Sequence, residues 1–233
     1  MQYAFTKMHG LGNDFVVIQA AADVEPPGTA EVRALADRRL GIGFDQLLWV
    51  TPATTVDTAA RYRVLNADGG EVEQCGNGVR CIARFLADAG AGERMTLESP
   101  AGPVEARIEP GGNVTVGMGV PVTEPAGVPF DPMGAAGPPY RIAVAGAAID
   151  AYVVGFGNPH AVVLVDDVAS APVETIGAAL QAHEQFPERV NVGFLALAGD
   201  GSGRLRVYER GVGETRACGT GACAATVAAA LAG

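Results

Sequence analysis

Two cysteines sit in matching Gly-rich settings, one in each half of this 233-residue chain. The first is Cys75, in Gly69-Gly70-Glu71-Val72-Glu73-Gln74-Cys75-Gly76-Asn77-Gly78-Val79-Arg80-Cys81. The second is Cys218, in Gly213-Glu214-Thr215-Arg216-Ala217-Cys218-Gly219-Thr220-Gly221-Ala222-Cys223. Both read Cys-Gly-(Asn/Thr)-Gly, and a stretch with helical character follows each. A thiol at a helix N-terminus feels the positive end of the helix dipole, which favours its thiolate. The small residues leave backbone N–H groups open to an anion. One such site suggests a nucleophile or an anion pocket. Two, one per half, suggest a pair of thiols facing one substrate.

The bland reading of any cysteine is a small buried hydrophobe. We assign it to Cys81 and Cys223, which fall inside the following helices. The repeated glycine context argues against it for Cys75 and Cys218. The spacings Cys-x5-Cys and Cys-x4-Cys do not match the paired ligand spacing of a zinc site, so no metal is expected. A cysteine protease needs a dedicated His and Asn or Asp, and has no use for a second matched cysteine. The histidines are His9, His160 and His183. His183 reads as solvated, on a polar helix face. His160, in Gly157-Asn158-Pro159-His160, stands at the mouth of an apolar strand, as a core histidine or a site residue. Glu209, in Tyr208-Glu209-Arg210-Gly211, stands at a strand end that leads into a Gly-rich turn. It reads as a surface ion-pair partner or as a group facing a cleft.

The elements that hold these residues are short. Gly (32) and Pro (15) predict many turns, and 48% hydrophobic residues are enough for a buried core. Alternation predicts strands over 2–8, 15–20, 47–51 and 62–65, and weaker ones over 95–99, 104–108 and 114–118. Thr29 is expected to cap a helix over 30–40 that Gly41 ends. After Cys75, the residues Val79, Ile82, Ala83 and Leu86 form one helical stripe, and Gly90 stops it. Six prolines between Pro121 and Pro139 mark a linker. Beyond it, strands are predicted over 140–144, 151–156, 161–165, 192–196 and 205–208. A helix is predicted over 173–183, and another after Cys218. Each half thus reads as strands, a turn, Cys-Gly-X-Gly and a helix, with a division into 1–119 and 120–233. Internal duplication follows from that shared plan.

The net charge of −10 argues against nucleic acid and anionic membrane as partners. The start of the chain lacks an apolar signal region, and no apolar stretch reaches the ~20 residues that span a bilayer. Four cysteines in a chain this long do not make a disulfide scaffold. A reducing, cytoplasmic setting is expected.

Taken together, the motifs resemble the diaminopimelate epimerases, the cofactor-independent two-cysteine epimerases of lysine and peptidoglycan precursor synthesis. They are Lys7-Met8-His9-Gly10-Leu11-Gly12-Asn13-Asp14-Phe15, Gly41-Ile42-Gly43-Phe44-Asp45-Gln46, Asn66-Ala67-Asp68-Gly69, Cys75-Gly76-Asn77-Gly78, Gly157-Asn158-Pro159-His160, Pro187-Glu188-Arg189-Val190-Asn191-Val192-Gly193-Phe194 and the Tyr208 to Gly221 segment. They run through the chain in family order. Proline racemases share the two-half fold but carry His after the first Cys-Gly, where this chain has Asn77.

The resemblance implies an α/β fold of two pseudo-symmetric halves. Each is a mainly antiparallel curved sheet or barrel around a central helix, with the active site in the cleft between. It implies an isomerase that converts LL-diaminopimelate to the meso form with no cofactor. One thiolate removes the α-proton, and the other thiol supplies a proton to the opposite face. By resemblance Cys75 is the donor and Cys218 the acceptor, exchanging roles in reverse. His160 and Glu209 match residues that tune the thiols. Asn13, Gln46, Asn66, Asn158, Asn191, Glu209 and Arg210 match substrate binders. The N–H groups at Gly76-Asn77 and Gly219-Thr220 match those that hold the α-carboxylate. A homodimer is implied, and relatives continue for a few dozen residues where this sequence stops. The rival readings are a proline-racemase-like enzyme, a non-catalytic amino-acid binder, and a redox switch through a Cys75–Cys218 disulfide.

Overall fold

A computed structural model describes residues 2–72, 75–144 and 146–233. The chain forms two compact units, Met1–Gly117 and Met118–Gly233. The first contains β1 (Thr6–Gly10), β2 (Asn13–Gln19), α1 (Thr29–Ala36), β3 (Gln46–Thr51), β4 (Ala60–Asn66), β5 (Glu71–Val72), α2 (Gly76–Asp88), β6 (Arg94–Ser99), β7 (Gly102–Ile108) and β8 (Val114–Val116). The second contains β9 (Tyr140–Val144), β10 (Ala147–Gly155), β11 (Pro159–Leu164), α3 (Val173–Gln181), β12 (Asn191–Leu197), β13 (Gly203–Glu209), β14 (Gly213–Thr215) and α4 (Gly219–Ala232).

Both sheets are mixed. The first runs β1-β2-β3-β4-β6-β7-β8, with β5 also on β4. Its β2–β3 and β4–β6 pairs are parallel and the rest antiparallel. The second runs β14-β13-β12-β11-β10-β9, with only β11–β12 parallel among its described pairs. A parallel pair needs a crossover. α1 supplies it between β2 and β3, and α3 supplies it between β11 and β12. The order hairpin, crossover helix, strand, hairpin, cysteine-capped helix therefore occurs in each unit, as the duplicated plan predicts.

Alternating side chains send two cores to the two faces of each sheet. In the first unit Phe15, Val17, Leu48, Val50, Tyr62 and Val64 pack with the α2 stripe of Val79, Ile82, Ala83 and Leu86. Val16, Ile18, Leu47 and Trp49 pack with Val32 and Ala36 of α1 on the other face. α2 touches β1, β2 and β3 as well as β7 and β8, so this sheet wraps around it. In the second unit α3 touches strands from both ends of the sheet, β9 and β14, and its Val173 and Leu180 enter the larger core. α4 lies on the opposite face, against Tyr152, Val154, Val162 and Leu195. Its buried residues are Gly221, Ala224, Ala225 and Ala228.

Three local readings are corrected. α1 ends at Ala36 rather than near residue 40, because the Asp37 carboxylate accepts the N–H groups of Arg39 and Leu40 at 2.7 and 2.8 Å. That side chain offers the backbone an alternative to the helix. The Pro-rich stretch 121–139 is no free linker: Val128 and Phe130 are buried in the second core, and Val122 bridges to Gly155. His183 is not merely solvated. Its Nε2 donates to the Ala143 carbonyl at 3.0 Å, and its Nδ1 accepts the Gln185 N–H at 3.3 Å.

Candidate functional site

In the first unit, Cys75 is the N-cap of α2. Its backbone is extended (φ −142°, ψ 106°), and its sulfur accepts the Gly78 N–H at 3.5 Å. The first intrahelical bond runs from Val79 N–H to the Cys75 carbonyl at 2.9 Å. The N–H groups of Gly76 and Asn77 precede it and belong to the donors that a helix leaves over at its start. Asn77 is buried, with its side-chain oxygen held by Arg80. The tip of the β1–β2 hairpin reaches this helix start. A Cβ on Gly10 would stand 3.4 Å from the Asn77 carbonyl oxygen. Leu11 and Gly12 turn the hairpin with φ of 55° and 85°, as a tight two-residue connection requires.

Asn13 follows that turn. Gln46 opens β3 and faces Asn66 at the end of β4, donating to it from Nε2 at 2.8 Å. Gln46 Oε1 is buried with no hydrogen-bond partner among the described residues, an acceptor left over at this end of the sheet. The topology thus brings Asn13, Gln46, Asn66, Cys75, Gly76 and Asn77 to one end of the first unit. A residue that sequence reasoning did not single out supports them. Arg38 bridges Asp14 at 2.7 Å and Asp45 at 2.8 Å, next in sequence to Asn13 and Gln46. No motif spacing marks Arg38, because the network joins three separate segments.

The second unit repeats the arrangement. Cys218 is the N-cap of α4 (φ −124°, ψ 121°), and its sulfur accepts the Gly221 N–H at 3.4 Å. The Thr220 hydroxyl lies 3.4 Å from that sulfur. Gly219 and Thr220 again precede the first helical bond, from Ala222 N–H to the Cys218 carbonyl. Burial, and next the negative charge of Glu209, push the Cys218 thiol up to about 11. Glu209 ends β13, and its carboxylate accepts the hydroxyl of Thr215 on β14. Gln181, the last residue of α3, donates to the carbonyls of Val190 at 3.3 Å and Glu209 at 3.2 Å, and accepts the Gly211 N–H at 3.2 Å. Sequence reasoning found neither Thr215 nor Gln181.

His160 is buried on β11, beside Asn191 of β12 in the parallel register. Its Nε2 donates to the side-chain oxygen of Asn158 at 3.0 Å. Burial, helped by the positive charge of Arg210, lowers its pKa to about 4, so the ring is neutral at neutral pH. Asn191 is buried, and Arg210 lies exposed at the turn after β13, its guanidinium donating to the Glu188 carbonyl at 3.2 Å. The two units differ in one telling way. Phe15 stands beside Gln46 in the parallel pair of the first unit, where His160 stands beside Asn191 in the second. Both His160 and Glu209 belong to the unit that carries Cys218.

The family model described as diaminopimelate epimerase matches residues 5–124 and 152–233. The chain belongs to the diaminopimelate epimerase family. Diaminopimelate epimerase from Ectopseudomonas mendocina is 50% identical over 231 residues, which cover 98% of this chain and 83% of that protein. The one from Aromatoleum aromaticum is 52% identical over 231 residues, covering 97% and 82%. Among solved structures, a hydroxyproline epimerase from Agrobacterium vitis superposes with a TM-score of 0.66 at 20% identity, over 97% of this chain and 76% of its own. That likeness shows the fold. The family match spans both cysteine-capped helix starts and every polar residue placed around them above.

Proposed function

We propose that the protein epimerises diaminopimelate, inverting one α-carbon between the LL and meso forms, with Cys75 and Cys218 as the acid/base pair. The observation that carries the reading is the repeated cap. In each unit a cysteine opens a helix, its sulfur accepts the N–H three residues on, and two further N–H groups stand beside it.

The chemistry follows from that repeat. The Cα–H bond breaks as an S–H bond forms on the thiolate, and the electron pair moves toward the α-carboxylate. The S–H bond of the other cysteine then breaks, and its proton forms a new Cα–H bond on the opposite face. Helix-start N–H groups at Gly76-Asn77 and Gly219-Thr220 stabilise the negative charge as it grows on the carboxylate. Asn13, Gln46, Asn66, Asn158, Asn191, Glu209 and Arg210 take the ammonium groups and the distal carboxylate, for which amide, carboxylate and guanidinium groups are suited. A Cys218 thiol held in its protonated form is suited to act as the acid in one of the two directions, with Cys75 as its counterpart. Reverse turnover exchanges the roles, and Cys75 is then the donor.

The experiment is turnover of LL-diaminopimelate in heavy water under reducing conditions. Deuterium should appear at one α-carbon of the meso product. Cys75→Ala and Cys218→Ala should each remove nearly all turnover, and the double variant should lose little more, because the pair acts as a unit. Product that keeps its original α-hydrogen, or a single-cysteine variant with normal turnover, overturns the reading. The same reading places the enzyme in the cytoplasm as a homodimer; light scattering of the purified protein checks the dimer.

A further inference from the structure

Thr215 lies three residues before Cys218 on β14, which pairs with β13 through Val207–Thr215 and Glu209–Gly213. Its hydroxyl donates to Glu209 Oε1. The main chain of Glu209 is held separately, through its carbonyl, by Gln181 at 3.2 Å. A half-buried carboxylate that loses its donor turns toward water, since burying a charge without hydrogen bonds is costly. We propose that Thr215 is a positioning residue, whose hydroxyl holds the Glu209 carboxylate against the Cys218 sulfur. The role rests on the two-cysteine reading above and adds a residue to it.

The surroundings leave that task to Thr215. Glu214 is engaged with Arg206 at 2.7 Å, and Arg206 also faces Glu174 of α3. The Arg210 guanidinium donates to the Glu188 carbonyl, and its charge acts on His160. Arg216 is exposed. α3 presents the neutral Gln181 to this turn, and α4 contains no charged residue. Among the described residues, Glu209 is therefore the acidic group set against Cys218, and its charge favours the protonated thiol.

The test follows alkylation of Cys218 by iodoacetamide against pH in the 233-residue protein, with fragment mass spectrometry to separate Cys218 from Cys223. In Thr215→Val the Cys218 midpoint should fall by about one pH unit, and alkylation at a fixed pH below the midpoint should quicken about tenfold. The alkaline limb of kcat/KM should move the same way. Thr215→Ser keeps the hydroxyl and should restore both the midpoint and the limb. A parental midpoint in Thr215→Val overturns the proposal, as does a Thr215→Ser variant shifted as far as Thr215→Val. Where Thr215→Val does not fold, Thr215→Ala against Thr215→Ser decides by the same two readings. The alkylation titration needs no turnover, so failure of the two-cysteine reading would show separately, as activity surviving in Cys218→Ala.

Discussion

The side-chain oxygen of Asn191 accepts the backbone N–H of Arg210 at 2.9 Å, while its Nδ2 donates to the Pro159 carbonyl at 3.1 Å. One buried amide thus joins the strand of His160 to the turn of Glu209 and Arg210. Asn191→Ala leaves a buried acceptor and a donor unmet, at about 1–3 kcal/mol for each such group. We expect a loss of about 2–6 kcal/mol in chemical denaturation. A greater fall in turnover than in folded fraction should accompany it, because Arg210 loses its place. Unchanged denaturation would show that water replaces the amide.

His160 predicts a dependence of stability on acid. Its pKa falls from 6.5 to about 4 on folding, so between those values the unfolded chain binds the proton and the folded chain does not. Its contribution is therefore fully present above pH 6.5 and is lost as the pH falls through 4. At 1.36 kcal/mol per unit this amounts to roughly 3 kcal/mol. His160→Gln removes that contribution, so on acidification from pH 7 to pH 4 the variant should lose less stability than the parent by about this amount. Parallel stability curves for the two proteins would count against a buried neutral imidazole.

The two cap glycines predict different failures. A Cβ on Gly221 would stand 3.2 Å from Cys218 Cβ and 3.4 Å from its sulfur. A Cβ on Gly78 would stand 2.9 Å from Leu48 Cδ2, with Cys75 Cβ farther off at 3.6 Å. Gly221→Ala should therefore push the thiol itself and lower kcat more than ten-fold, with a small change in melting temperature. Gly78→Ala should press on the core and cost about 1–3 kcal/mol of stability. Matched kinetics and melts of the two variants would contradict this division.

How much of this was legible depended on the range of the signal. The α2 stripe of Val79, Ile82, Ala83 and Leu86 was readable because helical period and burial coincide over a continuous segment. β9 was readable to its ends, since Tyr140, Ile142 and Val144 are buried between exposed neighbours. β5 and β14 were not, because two and three residues carry no period. Both cysteines, His160 and Glu209 stood out by type and glycine context. Arg38, Gln181 and Thr215 did not, for each acts on a residue brought near by strand pairing or a crossover. Val128 and Phe130 were hidden among prolines, where an apolar residue follows no pattern although the core still takes it.

Gly177 on α3 sets two effects against each other. Alanine in place of glycine inside a helix ordinarily stabilises by about 0.5–1 kcal/mol. Here the added Cβ would meet Tyr208 at 2.6 Å from Cγ and 2.7 Å from Cβ. Those atoms lie at the root of a side chain on β13, so no rotation of a flexible end relieves the clash. Overpacking of this kind costs about 1–3 kcal/mol, which outweighs the helix gain. Tyr208 is the neighbour of Glu209, so the strain falls on the segment that presents the carboxylate to Cys218. Gly177→Ala should melt lower than the parent, and its kcat should fall while the far-ultraviolet spectrum keeps its shape. A variant that melts higher with full turnover would show that α3 can slide away from β13, and that the close approach of Gly177 to Tyr208 does not fix the Glu209 turn.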